Sequence, residues 1–214
     1  MNDSLFLTKI EIDHETAFKA GLRDSYHWHQ KVWQAFPGRD GTHRDFLTRL
    51  DVIDDHFRLL ILSPSPAERP GWCPEPAWDS KPVGDSFLRH PAYGFSLVAN
   101  PAKKVRSKAD GTVTKNGRRV PLTKREDLIA WLERKGQAAG FTIDTSSLLT
   151  TSRPREYFIK KGQAGLHSAT EFRGVLSVTD HNAFVESFAK GIGPAKAFGF
   201  GMLCLSPIPD STNS

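Results

Sequence analysis

The chain has 214 residues, 38% of them hydrophobic and 25% charged, the composition of an ordinary soluble protein of one large or two small domains. No apolar run approaches the roughly 18–20 residues of a membrane span. The opening MNDSLFLTKIEI alternates like a strand and lacks the pattern of a signal peptide, and the isolated Cys73 and Cys204 argue against a disulfide framework or a thiolate metal site. A cytoplasmic protein is expected, and its net charge of +5 favours an anionic partner without requiring one.

In chain order, LFLTKIEI (5–12) alternates as a first strand. Asp13 then caps a helical stretch over 14–36, as one helix or two abutting pieces, ended by Pro37-Gly38. DFLTRLDVI (45–53) and HFRLLILS (56–63) read as a hairpin turning at Asp54-Asp55. The prolines of 64–82 forbid a long helix, and SFLRHPAYGFSLVAN (86–100) returns to strand, with Asn100-Pro101 closing a first unit. Next come a basic hairpin carrying the turn signals Asp110-Gly111 and Asn116-Gly117, and a helix over 123–140 with a Thr123/Glu126 capping box and Gly140 at its end. Strands follow at 141–149, 155–160 and 170–178. Asp180 caps HNAFVESFAK, and a glycine run leads into a last strand.

The expected class is α+β: two tandem ferredoxin-like (RRM-like) βαββαβ domains packed together, residues 1–100 and 101–214. The first has a degenerate second helix. The second carries the basic hairpin and the glycine-rich loop.

Three features carry chemistry. On the helix around SYHWHQKVW, Leu22, Tyr26, His29, Trp33 and Phe36 share one arc, extended by Trp28 and Val32, while His27 lies on the polar side. Two histidines two apart diverge on a helix and do not readily share a metal. His29 is then either a packed core histidine or, with Tyr26 one turn away, half of an acid–base couple. Between Asn100 and Arg125, Lys103, Lys104, Arg106, Lys108, Lys115, Arg118, Arg119, Lys124 and Arg125 face one acid, Asp110. This is a solvated loop or a grip on a polyanion, folded RNA more than a stacked single strand. In KGIGPAKAFGFGMLCLS the helix leads in and the strand leads out, the reverse of a dinucleotide fingerprint, and Lys196 is followed by Ala197, not by the Ser or Thr of a phosphate-binding P-loop. Gly191 fits a helix end. The remaining glycines either allow a turn or let backbone and Lys196 approach a phosphate chain. The other histidines show no ligand spacing, so no metal or cofactor site is expected. Asp24, Asp51, Asp54 and Asp55 read as turn and cap residues.

Together these stretches resemble a known family. GIGPAKAFGFGMLCLSPI is similar to the C-terminal glycine-rich signature of CasE-type CRISPR repeat endoribonucleases, the processing subunits of type I-E Cascade. SYHWHQKVWQAFPG resembles the family's first-helix motif, FSLVANPAKKV its strand-to-linker passage, RRVPLTKREDLIAWLERKG its basic-to-helix passage and GVLSVTD the strand before its last helix. The resemblance implies two facing ferredoxin-like domains that cut repeat RNA without metal at the 3′ base of its stem-loop. A 2′-hydroxyl attacks, and the protein stays bound to the product in Cascade. It further implies His29 as principal acid–base residue with Tyr26 as partner, and RNA contacts from the hairpin (Lys103, Lys104, Arg106, Lys108, Lys115, Arg118, Arg119), from Lys160 and Lys161, and from Gly193, Lys196 and Gly199. A non-cleaving RNA-hairpin-binding module of the same fold is the alternative.

Overall fold

The computed structural model describes residues 4–39, 43–107, 113–154, 156–160 and 163–208. Strand β1 (Phe6–Asp13) runs into the cap that the sequence marks: Asp13 Oδ1 accepts the Thr16 amide at 2.7 Å and opens α1 (His14–Lys19). The helical stretch is two pieces. Gly21, at φ +74°, lies beyond the first, and Asp24 caps the second, α2 (Ser25–Val32), through the His27 amide at 2.9 Å. A 3-10 turn, Trp33–Ala35, follows.

β2 (Leu47–Ile53) and β3 (His56–Ser63) pair antiparallel around the expected turn, with Asp54 at φ +45°. Where a second helix would stand, the proline-rich segment holds a 3-10 turn, Glu75–Ala77, and then β4 (Trp78–Pro82). The sheet order is β2-β3-β1-β4, antiparallel at each pairing. This is the 4-1-3-2 arrangement that a βαββαβ chain produces. Trp28, Val32, Ala35 and Phe36 pack with Ile10, Ile12, Leu59 and Ile61 in one apolar cluster.

The chain continues through β5 (Ala92–Ala99), the hairpin β6 (Ala102–Ser107) and β7 (Val113–Pro121), and α3 (Arg125–Ala138). β8 (Phe141–Ile143), β9 (Leu149–Ser152), the hairpin β10 (Glu156–Lys160) and β11 (Gln163–His167), β12 (Thr170–Val178), α4 (His181–Lys190) and β13 (Leu203–Pro207) complete it. The second sheet is ordered β13-β5-β12-β8, with β9 also on β12. This is the same 4-1-3-2 pattern with its second strand split and a hairpin inserted on either side.

Two expectations need correction. The strand expected to close the first unit at residue 100 is the first strand of the second sheet, because β5 pairs with both β12 and β13. Its Tyr93, Phe95 and Leu97 are buried with Leu128, Trp131, Leu132, Phe184 and Phe188, while β4 takes the edge of the first sheet. The capping box is also missing: α3 starts one residue later than drawn, after an extended Lys124 (ψ 137°) with no side-chain cap. The helix does stop before Gly140, at φ +76°, and Asp180 caps α4 through the Ala183 amide at 3.0 Å, as expected.

Candidate active site

α2 turns its last residues toward the seam between the two sheets. The break at Gly21–Asp24 resets the helical phase, so the buried face centres on Trp28 and Val32. His29, half-buried beside them, lines a cleft of about 40 Å³ with Thr48 and Leu50 of β2, Val98 of β5, Arg153 and the stretch Ala197–Phe200. That volume holds no more than a few waters, so a reacting phosphate would sit across its mouth. Tyr26 is 42% exposed, outside the lining of this cleft, with its ring edge-on to His27 at 6.2 Å. His27 is exposed, and its Nδ1 lies 2.7 Å from Asp24 Oδ1, which makes it part of the helix cap.

Arg153 reaches the cleft from a buried ionic network that joins the sheets. Its Nη2 bonds Asp51 Oδ1 of β2 at 2.6 Å and Glu171 Oε2 of β12 at 3.0 Å. Arg49, 4% exposed, donates to Asp51 at 2.9 Å, to Ser96 Oγ at 2.8 Å and to Glu171 Oε1 at 3.1 Å. Arg58 and Arg173 add one contact each, to Asp51 and Glu171. Burial would raise both carboxyls. The Arg173 hydrogen bond, the Arg153 charge and Ser96 instead hold Glu171 down to about 2, and Arg49 and Arg153 hold Asp51 low as well. Four guanidinium groups against two carboxylates leave the network net positive beside His29. Asp51 is therefore a buried network member of β2, not a turn residue.

The glycine run forms a loop pinned at its neck. The Ile192 amide bonds the Gly201 carbonyl and the Gly201 amide bonds the Val98 carbonyl, each at 2.8 Å. Gly201 sits at φ +90°, where a Cβ would fall 2.6 Å from the Ile192 carbonyl; Gly193, at φ +85°, has the Trp131 ring where its Cβ would stand. The close approaches at these two positions are therefore to the protein's own groups. Between them Ala197 and Phe198 of the 3-10 turn Lys196–Phe198, with Gly199, face the seam. Burial, then the charges of Lys135 and Lys190, push the Lys196 ammonium below its ordinary pKa.

The basic hairpin is present. Lys103, Lys104, Arg106 and Arg119 are exposed, and Lys104 stands opposite Arg119 across the ladder. Like charges so paired repel, an arrangement suited to an anionic partner. Asn116-Gly117 lies within β7 beside an irregularity of the ladder near Arg106 instead of in a turn. Lys115 and Arg118 occupy β7 and Lys160 ends β10, a strand packed against α2. Lys108, Asp110-Gly111 and Lys161 lie outside the described residues. A second cleft, lined by Leu122, Arg125 and Ser168, runs from the hairpin's root to Arg153, which it shares with the His29 cleft.

The sequence reading missed Arg49, Arg153 and Glu171. The signal was present for two of them: Arg49-x-Asp51 and Glu171-x-Arg173 place opposite charges two apart, on one face of otherwise apolar strands.

The site is thus a histidine at the seam of two antiparallel sheets of 4-1-3-2 order, with a glycine-rich turn over it and a basic hairpin beyond. A family model described as CRISPR associated protein matches residues 5–207, and the chain belongs to that family. It is 31% identical over 207 residues to the CRISPR system Cascade subunit CasE of Escherichia coli (strain K12), covering 95% of this chain and 100% of that one. It is 29% identical over 126 residues to the CRISPR-associated endoribonuclease Cse3 of Thermus thermophilus, covering 53% and 54%. Thermus thermophilus Cse3 bound to an RNA representing a pre-cleavage complex matches with a TM-score of 0.71 at 25% identity, over 95% of this chain and 100% of that one.

Proposed function

We propose that the protein is a metal-independent endoribonuclease that cuts CRISPR repeat RNA at the 3′ base of its stem-loop and keeps the product as a subunit of Cascade. The observation that carries this reading is the convergence of His29, Arg153 and the stretch Ala197–Phe200 on one cleft, which meets at Arg153 a second cleft reaching the root of the basic hairpin. Two relatives add support: one is named a Cascade subunit, the other a CRISPR-associated endoribonuclease.

The hairpin cations, with Lys160 and Lys161, grip the stem backbone and set the strand across the seam. The 2′-hydroxyl next to the scissile phosphate gives up its proton to a base and its oxygen bonds to phosphorus. The bond from phosphorus to the 5′ oxygen breaks, and that oxygen takes a proton. The products are a 2′,3′-cyclic phosphate, or the 3′-phosphate from it, and a 5′-hydroxyl. His29 is the principal acid–base group, since imidazole both takes and gives protons near neutral pH. Tyr26, on the same helix, assists from the RNA-facing surface. Arg153, held by Asp51 and Glu171, offers a fixed positive charge to the phosphate as its charge grows. Backbone from Gly193 to Gly199, with Lys196, packs along the RNA.

The test is cleavage of a cognate repeat RNA in EDTA by wild type and by His29→Ala. One cut at the stem foot, lost in the variant while hairpin binding survives, supports the reading. Binding without a cut by wild type makes the protein a non-cleaving RNA-hairpin module, and loss of wild-type activity on chelation overturns metal independence.

A further inference from the structure

On the far side of the Lys196–Phe198 turn from His29 lies a second groove, about 560 Å³, lined by Arg44, Phe46, Leu47, Lys190, Lys196 and Ala197 among others. Ala197 lines both this groove and the His29 cleft. Arg153 in turn lines both the His29 cleft and the one leading to the hairpin. The surface thus has a fixed order: hairpin root, Arg153, His29, Ala197, Arg44 groove.

Arg44 is half-buried over the Phe46 ring, 4.7 Å from its centroid, with Nη1 on the Lys196 carbonyl at 2.9 Å and Nη2 near Thr48 Oγ1 at 3.3 Å. Its buried Nε has no hydrogen-bond partner among the described residues, and no carboxylate there lies within ion-pair distance of it. Asp45, the acid in the groove's lining, is held by Arg39. Lys190 pairs with Glu186 only as an exposed i,i+4 couple, 70% and 62% accessible, an interaction worth little in water. Burial pushes the Arg44 guanidinium down to about 10, and Lys196 is depressed in the same region. A half-buried guanidinium with no carboxylate on it, and two lysines beside it, set three cations around a groove otherwise lined by Phe46, Leu47 and Ala197, a setting suited to the phosphates of a bound strand.

We propose that this groove binds phosphodiesters of the RNA strand on the far side of the cut from the stem. Arg44 and Lys190 are its specific contacts, and Lys196 lines it at the turn that separates it from the His29 cleft. The proposal rests on the reading of the protein as a repeat-RNA endoribonuclease. If the stem lies on the hairpin and the scissile phosphate at His29, the strand beyond the cut leaves over Ala197 and enters the groove. Before cleavage the groove fixes that strand in line. After cleavage the strand is held by the groove alone and departs, while the stem stays on the hairpin.

The experiment compares two RNAs by fluorescence anisotropy over a salt series: the repeat hairpin ending at the cut, and the same hairpin with its downstream nucleotides and a 2′-deoxyribose at the cut to block cleavage. Wild type should bind the extended RNA roughly 5- to 10-fold tighter, with a steeper salt slope of about 0.7 per added phosphate contact. Arg44→Gln with Lys190→Gln should abolish that gain and leave binding of the truncated hairpin unchanged. Because Arg44 also braces the Lys196 carbonyl, Lys190→Glu on the exposed helix face provides a second variant, and it too should erase the gain. A gain that survives in both variants overturns the proposal. So does the absence of any gain in a wild type that binds the hairpin and cleaves repeat RNA, a result that leaves the endoribonuclease reading standing. A wild type that neither binds nor cleaves the repeat overturns both.

Discussion

Arg153 Nη2 stands 2.6 Å from Asp51 Oδ1 across the seam of the two sheets, while the same guanidinium reaches Glu171 of the second sheet at 3.0 Å. The cation at the edge of the His29 cleft is thus positioned by both sheets at once, and sheet packing and cleft geometry are coupled. Asp51→Asn should cost about 3–5 kcal/mol, because it removes one carboxylate from a buried cluster already short of negative charge. Urea unfolding measures this. Arg153→Gln, on the rim, should cost less stability but slow cleavage about 10²-fold. A variant with full cleavage rate would remove Arg153 from the mechanism.

The same network sets an acid limit. Glu171 is held at about 2 against an ordinary 4.5, so between these values the unfolded chain binds more protons than the folded one. Stability from this group is complete above about pH 4.5 and is lost as pH falls toward 2. Glu171→Gln should flatten the stability-versus-pH curve over that window and lower stability at pH 7. An unchanged acid slope in the variant would show that other groups dominate acid unfolding.

At residues 25–33 the two histidines separate cleanly. His27 closes the α2 cap with Asp24 in the open, whereas His29 lines the cleft. His29→Ala should lower the single-turnover rate at least about 10²-fold with hairpin affinity retained. His27→Ala should leave the rate within about threefold, since it removes only an exposed side-chain contact at the helix start. The reverse pattern would move the chemistry to His27.

Much of this architecture is legible in the amino-acid sequence, and the larger misses come from pairing between segments far apart in the chain. Most caps and turns follow local signals, so Asp13, Asp180, Gly140 and Asp54-Asp55 read correctly, whereas Thr123/Glu126 forms no capping box and Asn116-Gly117 sits inside β7. β5 is misread, because its pairing partners, β12 and β13, lie about eighty and a hundred and ten residues onward and nothing local says which sheet a strand joins. Tyr26 falls on the apolar arc only if one helix runs through Gly21–Asp24, and a break of that kind shifts every later residue's face. Arg49 and Glu171 form an ion pair across 122 residues, and long-range pairing of charge leaves only the two-apart pattern in each strand. The glycines ask for a close neighbour, and at Gly193 and Gly201 the sequence has no means to show that it is Trp131 and Ile192.

Gly201 provides a test of that last point. It combines φ +90° with a Cβ position 2.6 Å from the Ile192 carbonyl, at the bonds that close the loop's neck. Gly201→Ala should destabilise the fold by about 1–3 kcal/mol and, by moving the Lys196–Phe198 turn, should weaken cleavage more than hairpin binding. A variant with wild-type melting temperature and rate would show that the neck tolerates a side chain.

The hairpin makes the opposite kind of prediction, about affinity without chemistry. Lys104 and Arg119 oppose each other across the β6–β7 ladder and are exposed, so each repels the other until a phosphate backbone lies alongside. Replacing both with Ala should leave stability unchanged or slightly raised, since a like-charge pair is removed. It should weaken stem-loop binding about uniformly across stem sequences and reduce the salt slope by about 1 for each phosphate no longer engaged. Cleavage at saturating enzyme should stay near wild type, because these side chains hold the stem and do not meet the scissile phosphate. Binding titrations at several salt concentrations, with single-turnover rates at saturation, separate the two effects. An unaltered salt slope would mean that the stem lies elsewhere, and a reduced rate at saturation would mean that the hairpin positions the cut as well as the stem.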